Sequence, residues 1–84
     1  MNTGYRKILD SIFRTPTTAS LPFAEIQALV LYLGGQVLER QGSRVKILLG
    51  EQCWRCHRPH PGKEARRYQI EEAREFLLRA GVRP

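Results

Sequence analysis

Apolar side chains at Tyr5, Ile8, Leu9, Ile12 and Phe13 fall at i, i+3, i+4, i+7 and i+8, the spacing that gathers them on one face of a helix. Thr3 is the expected cap of that helix, and Arg14 its approximate end. Residues 15–20 hold three threonines and one proline with no apolar anchor larger than Ala19, which predicts a loop. A second helix is expected from about Pro22, whose missing N–H is tolerated in a first turn. It carries Phe23, Ile26, Val30 and Leu33 on one face. Gly34 and Gly35 end it, because one of them can take the left-handed cap conformation without a Cβ penalty.

Beyond Gly35 the period changes to two. Gln41-Gly42 and Gly50-Glu51 are turn signals, and between them Ser43-Arg44-Val45-Lys46-Ile47-Leu48-Leu49 alternates charged with apolar residues. Three antiparallel strands are expected, over about 36–41, 43–49 and 52–58. Side chains alternate between the faces of a strand, so Val45, Ile47 and Leu49 face the core with Trp54 and Cys56. Arg44, Lys46, Arg55 and His57 then share the opposite face. Pro59 and Pro61 bar a central strand from continuing. A last helix is predicted from about Gln69 to Ala80, with Ile70, Ala73, Phe76, Leu77 and Ala80 as its apolar face and Gly81 as its stop. The expected fold class is α+β: a three-stranded antiparallel sheet with helices on one face, as a single domain over 1–84. Residues 1–14 add an N-terminal helix to an α-β-β-β-α core over 22–82.

Charge gives this arrangement a direction. The chain carries 14 Lys and Arg against 8 Asp and Glu. The segment Arg40 to Arg67 holds eight of the basic residues and two of the acidic ones, so the whole surplus of +6 lies there and the remainder is neutral. A surplus confined to one third of a small domain concentrates anions locally, and nucleic-acid phosphate is the commonest polyanion to meet it. Solvated surface charge is the alternative. The longest apolar run, Ala28 to Leu33, is far short of a membrane span, and no apolar leader follows Met1. With two cysteines and no export signal, the expectation is a cytoplasmic chain with free thiols and no membrane partner.

Cys53-Trp54-Arg55-Cys56-His57 matches the C-x-x-C-H pattern of covalent haem attachment. The match is set aside, because that chemistry needs an exported chain, a second axial ligand and a large apolar pocket. In a strand, moreover, residues three apart point to opposite faces. Adding His60 makes four potential zinc ligands, but Pro59 stiffens the gap and the strand splays the cysteines. No metal or cofactor is expected. His57 and His60 are the only histidines, and both stand among cations. An imidazole titrates near neutrality, which suits proton transfer at a ribose 2′-hydroxyl, with guanidinium groups stabilising the negative charge of the transition state. Either could instead be structural: His60 shaping a turn, His57 contacting phosphate. Arg44, just past the Gly42-Ser43 turn, can aim a two-pronged fork at phosphate or pair with Glu39 or Glu51. The candidate RNA contacts are Arg40, Arg44, Lys46, Arg55, Arg58 and Lys63.

The helix ending Leu33-Gly34-Gly35, the Gly42-Ser43 turn opening the second strand, the third strand running into Arg58-Pro59-His60-Pro61, and the closing Phe76-Leu77 before Ala80-Gly81-Val82 stand in a recognisable order. Over about 60 residues, Phe23 to Val82, the chain resembles the HicA family of bacterial toxins. The resemblance implies a fold similar to double-stranded-RNA-binding domains, a ribosome-independent mRNA endoribonuclease activity, and neutralisation by a HicB antitoxin. In the family pattern the turn reads Gly-Ser-His, and that histidine is the expected catalytic residue; here the position is Arg44. The resemblance therefore carries over the RNA-binding surface and antitoxin partner. It leaves catalysis to His57 or His60, or implies a protein that binds RNA and antitoxin without cutting.

Overall fold

In the computed structural model, which describes residues 1–84, the chain runs α1 (Thr3–Phe13), α2 (Phe23–Tyr32), β1 (Gln36–Glu39), β2 (Arg44–Leu49), β3 (Gln52–His57) and α3 (Arg67–Arg79). The protein is α+β, with an antiparallel sheet in the order β1-β2-β3. The strands are shorter than the sequence pattern predicts. Single backbone bonds nevertheless extend the pairing past their ends, from Arg40 N to Arg44 O and from Arg58 N to Ser43 O, each 2.9 Å. Pro59, which has no N–H to donate, follows at once. No helix is long and apolar enough to cross a membrane.

The period-two reading of the sheet holds residue by residue. Val45, Ile47, Leu49, Trp54 and Cys56 are buried, whereas Arg44, Arg55 and His57 are exposed and Lys46 is half-buried. The helices cover only the apolar face, α2 against β1 and β2 and α3 against β3. Two glycines make this packing possible. Gly34 takes φ +93 just past the end of α2, and the Gly35 N–H bonds back to Val30 O at 2.8 Å, a helix stop that needs a left-handed residue. At Gly35 a Cβ would collide with the Leu48 carbonyl oxygen and the Val30 side chain, so the approach of α2 to β2 requires glycine. Gly81 at φ +84 ends α3 in the same way, with Val82 N bonded to Leu77 O.

The N-terminus departs from expectation in its cap. Asn2, not Thr3, caps α1, its side-chain oxygen accepting from Tyr5 N at 3.0 Å; Thr3 is the first helical residue. Helix α1, the extra N-terminal helix, packs into the core of the domain. Leu9 and Ile12 are fully buried in the same apolar cluster as Phe76, Leu77 and Ile47, and α1 packs on both α2 and α3. Arg74 of α3 closes the join. Its guanidinium donates to Ile12 O (2.9 Å), Arg14 O (3.2 Å) and Thr17 Oγ1 (3.1 Å), meeting two of the carbonyls that α1 leaves unpaired at its end.

Candidate nucleic-acid interface

The sheet face without helices is organised by the β2–β3 hairpin. Gly50 takes φ +59 at the first position of its two-residue connection, a conformation a hairpin turn demands and that fixes register. That register sets Arg44 directly opposite His57 and Lys46 opposite Arg55. Residues opposite each other on one face have Cβ atoms only about 4.5–5.5 Å apart. With Arg40 from the end of β1, these four side chains line a groove of about 390 Å³. No carboxylate lines it. Further along the same face, Leu38, Leu48 and Cys53 follow the cations, and no Phe, Tyr or Trp stands on it.

His57 is held at both ends. Its Nδ1 lies 3.1 Å from Ser43 Oγ, which leaves Nε2 as the free ring nitrogen. Its backbone carbonyl accepts from Gln69 Nε2 at 2.7 Å. Gln69 is the one polar residue among the buried set, and its Oε1 accepts from Arg66 N at 2.9 Å, so both ends of the amide are satisfied. The first turn of α3 is thereby tied to the end of β3. Neither Ser43 nor Gln69 emerges as a site residue from the sequence pattern, although Gln69 left a signal: a polar residue on the helical stripe otherwise made of Ile70, Ala73, Phe76 and Leu77.

The structure divides the remaining candidates. His60 is exposed and does not line the groove; it sits in the turn beyond β3, where its carbonyl accepts from Arg66 Nη2 at 3.3 Å. Arg58 lies on the helical side of the sheet edge, in the protein's single ion pair, 2.7 Å from Glu39. Arg58 and Lys63 line a separate cleft with Pro22, Phe23 and Pro59. Arg44 pairs with neither Glu39 nor Glu51. Its Nε donates to the Gln41 carbonyl at 3.4 Å, and Glu39 is committed to Arg58. Of the eight named residues, then, Arg40, Arg44, Lys46, Arg55 and His57 converge on one groove, while Arg58, His60 and Lys63 stand apart.

The cysteines of the C-x-x-C-H run point to opposite faces, Cys53 exposed and Cys56 buried. Burial pushes the Cys56 thiol up from 9.0 to about 11, with the Glu72 carboxylate, bonded to Trp54 Nε1, as the smaller cause. A thiol held protonated is a poor nucleophile. Iodoacetamide at pH 8 is therefore expected to alkylate Cys53 and spare Cys56 until the chain is unfolded, as mass spectrometry of the two peptides will read. Because the folded value is the higher one, the Cys56 contribution to stability is complete below pH 9 and is lost as pH rises towards 11.

The chain matches no protein-family model, no curated protein and no solved structure.

Proposed function

We propose that this protein is a HicA-like toxin, a cytoplasmic mRNA endoribonuclease that works without metal on the open face of its sheet and is neutralised by a HicB-like antitoxin covering that face. In this reading α2, the sheet and α3 form a core similar to double-stranded-RNA-binding domains, preceded by α1. The observation that carries the proposal is the groove itself: four cations and one histidine on one sheet face, with Arg44 and His57 directly opposed. Arg44 occupies the position where the family pattern has its histidine. The register supplies an imidazole to the same face one strand away.

The chemistry follows from these groups. Arg40, Arg44, Lys46 and Arg55 seat the phosphates on either side of the scissile bond. The free Nε2 of His57 takes the proton of the ribose 2′-hydroxyl, and the 2′-oxygen attacks phosphorus. The P–O5′ bond breaks, the 5′-oxygen leaves with a proton from water, and a 2′,3′-cyclic phosphate remains. Guanidinium groups stabilise the charge gathered on phosphorus in between. The donors of the groove, imidazole and cations without carboxylate, are those of metal-free cleavage, since Mg²⁺ sites are built on carboxylates.

The test is incubation of the purified protein with a mixed-sequence RNA in EDTA. Products ending in 2′,3′-cyclic phosphate are expected. Binding to an uncleavable 2′-O-methyl RNA should weaken with salt, with a log–log slope of about −3 for four neutralised phosphates, and Arg55→Ala should flatten it by about 0.7. A salt-independent affinity, or no affinity, would sink the proposal. A second reading, RNA binding without cleavage, is favoured by one observation: the groove holds a single histidine and no second proton-transfer partner of carboxylate type. Salt-sensitive binding with intact RNA after prolonged incubation selects it.

A further inference from the structure

The open sheet face holds phosphates but offers a base nothing flat to rest on, because its apolar members are Leu38 and Leu48. The nearest exposed aromatic ring stands just over the free edge of β3. Tyr68, in the first turn of α3, is 58% exposed, the highest value among the large apolar side chains. Its neighbour Gln69 is the residue clamped to the His57 carbonyl, and at the far end of α3 Arg79 Nε bonds Gln52 Oε1 at 3.3 Å. Helix α3 thus runs antiparallel to β3, and Tyr68 lies at the His57 end. Between helix and strand runs a second groove, of about 690 Å³, lined by Tyr68 and Trp54, by Glu71, Glu72 and Glu75, and by Arg74 and Arg79. Arg55 lines both grooves, so they meet at its side chain.

We infer that this second groove is a base-binding subsite, in which one unpaired base of a single-stranded RNA stacks on Tyr68 while its flanking phosphates stay with Arg55 and the cationic groove. The inference rests on the RNA-binding reading above and deepens it by naming the substrate class. The two grooves differ in charge: the first holds cations with no carboxylate, whereas the second balances Glu71, Glu72 and Glu75 against Arg55, Arg74 and Arg79, and its carboxylates have oxygens that can accept the N–H groups on a base edge. An aromatic ring contributes stacking that any base can use. A base locked in a duplex cannot reach over the strand edge, so the subsite selects single strands.

Fluorescence anisotropy with 2′-O-methyl oligonucleotides tests this on the full chain, comparing wild type, Tyr68→Ala and Tyr68→Phe against single-stranded RNA, the same strand with abasic positions, a duplex, and long-chain polyphosphate. Wild type is expected to bind the single strand about tenfold more tightly than the abasic strand or the duplex, the scale of one stacked base. Tyr68→Ala should erase that preference, and Tyr68→Phe should keep it. Polyphosphate should bind all three proteins equally, and the far-UV circular dichroism of Tyr68→Ala should match wild type, which reports that the variant is folded. Equal single-strand affinity of wild type and Tyr68→Ala, with polyphosphate binding intact, overturns the subsite and leaves the cationic groove standing. Absence of both polyphosphate and RNA binding in wild type overturns the groove and the subsite together.

Discussion

His57→Ala is expected to lower the rate of RNA cleavage by about 10²- to 10⁴-fold, the usual contribution of a positioned general base, while leaving RNA affinity within about threefold of wild type. The two effects separate because the groove keeps Arg40, Arg44, Lys46 and Arg55, which carry its positive charge. His60→Ala is expected to change the rate less than about twofold, since His60 lies in the turn beyond β3, outside the groove lining. Ser43→Ala belongs to the same experiment. It removes the partner 3.1 Å from His57 Nδ1 and frees the ring to rotate, so a smaller rate loss is expected with the protein fully folded. Single-turnover cleavage with excess enzyme reads the chemical step without product release. Equal cleavage by wild type and His57→Ala would remove the imidazole from the mechanism. Equal losses in His57→Ala and His60→Ala would mean that the two histidines act together in a geometry the free protein does not hold.

The sheet was legible in the sequence because a half-buried strand writes its two faces as an alternation, which β2 carries from Arg44 to Ile47 before the apolar Leu48 breaks it, although burial goes on alternating to Leu49. With Val45 and Ile47 inward the cations face outward, and the shared face of Arg44, Lys46, Arg55 and His57 follows. The same alternation sets Arg58 with Trp54 and Cys56 on the helical side, where its ion pair with Glu39 lies, so its charge does not mark it as a member of the cationic face. Nor could spacing separate His57 from His60. Three residues in a strand and three residues around a proline turn look alike in sequence, and only the end of β3 distinguishes the residue inside the sheet from the one beyond it. The clamp from Gln69 depends on α3 lying against β3, a long-range placement that no local pattern encodes. The role of α1 was hidden for the same reason: its periodicity announces an apolar face but not what covers it.

That cover carries the largest expected effect on stability. Leu9 and Ile12 are each 0% exposed and lie in the cluster shared by α2, the sheet and α3. Truncating a fully buried Leu or Ile to Ala costs about 2–5 kcal/mol through lost burial and the cavity left behind. A chain of 84 residues has a total stability of about 4–13 kcal/mol at the usual value per residue. Leu9→Ala alone is therefore expected to lower the denaturant midpoint severely, and Leu9→Ala with Ile12→Ala to leave the chain largely unfolded at 25 °C. Urea titration followed by the fluorescence of Trp54, the single tryptophan, checks both, because that ring sits 6.0 Å from Phe76 and 6.2 Å from Phe23 inside the same core. Arg74→Met separates packing from bonding. It keeps an unbranched stem along α1 but strips the donors from the carbonyls of Ile12 and Arg14 and from Thr17 Oγ1, so a loss of about 1–3 kcal/mol is expected. If removing residues 1–14 left a domain that unfolds at the wild-type urea concentration, α1 would be an appendage, and its two buried side chains would have contributed nothing that α2 and α3 do not supply alone. The apolar surface those residues now cover makes the opposite result the expected one: a truncated chain that neither folds cooperatively nor presents the cationic sheet face.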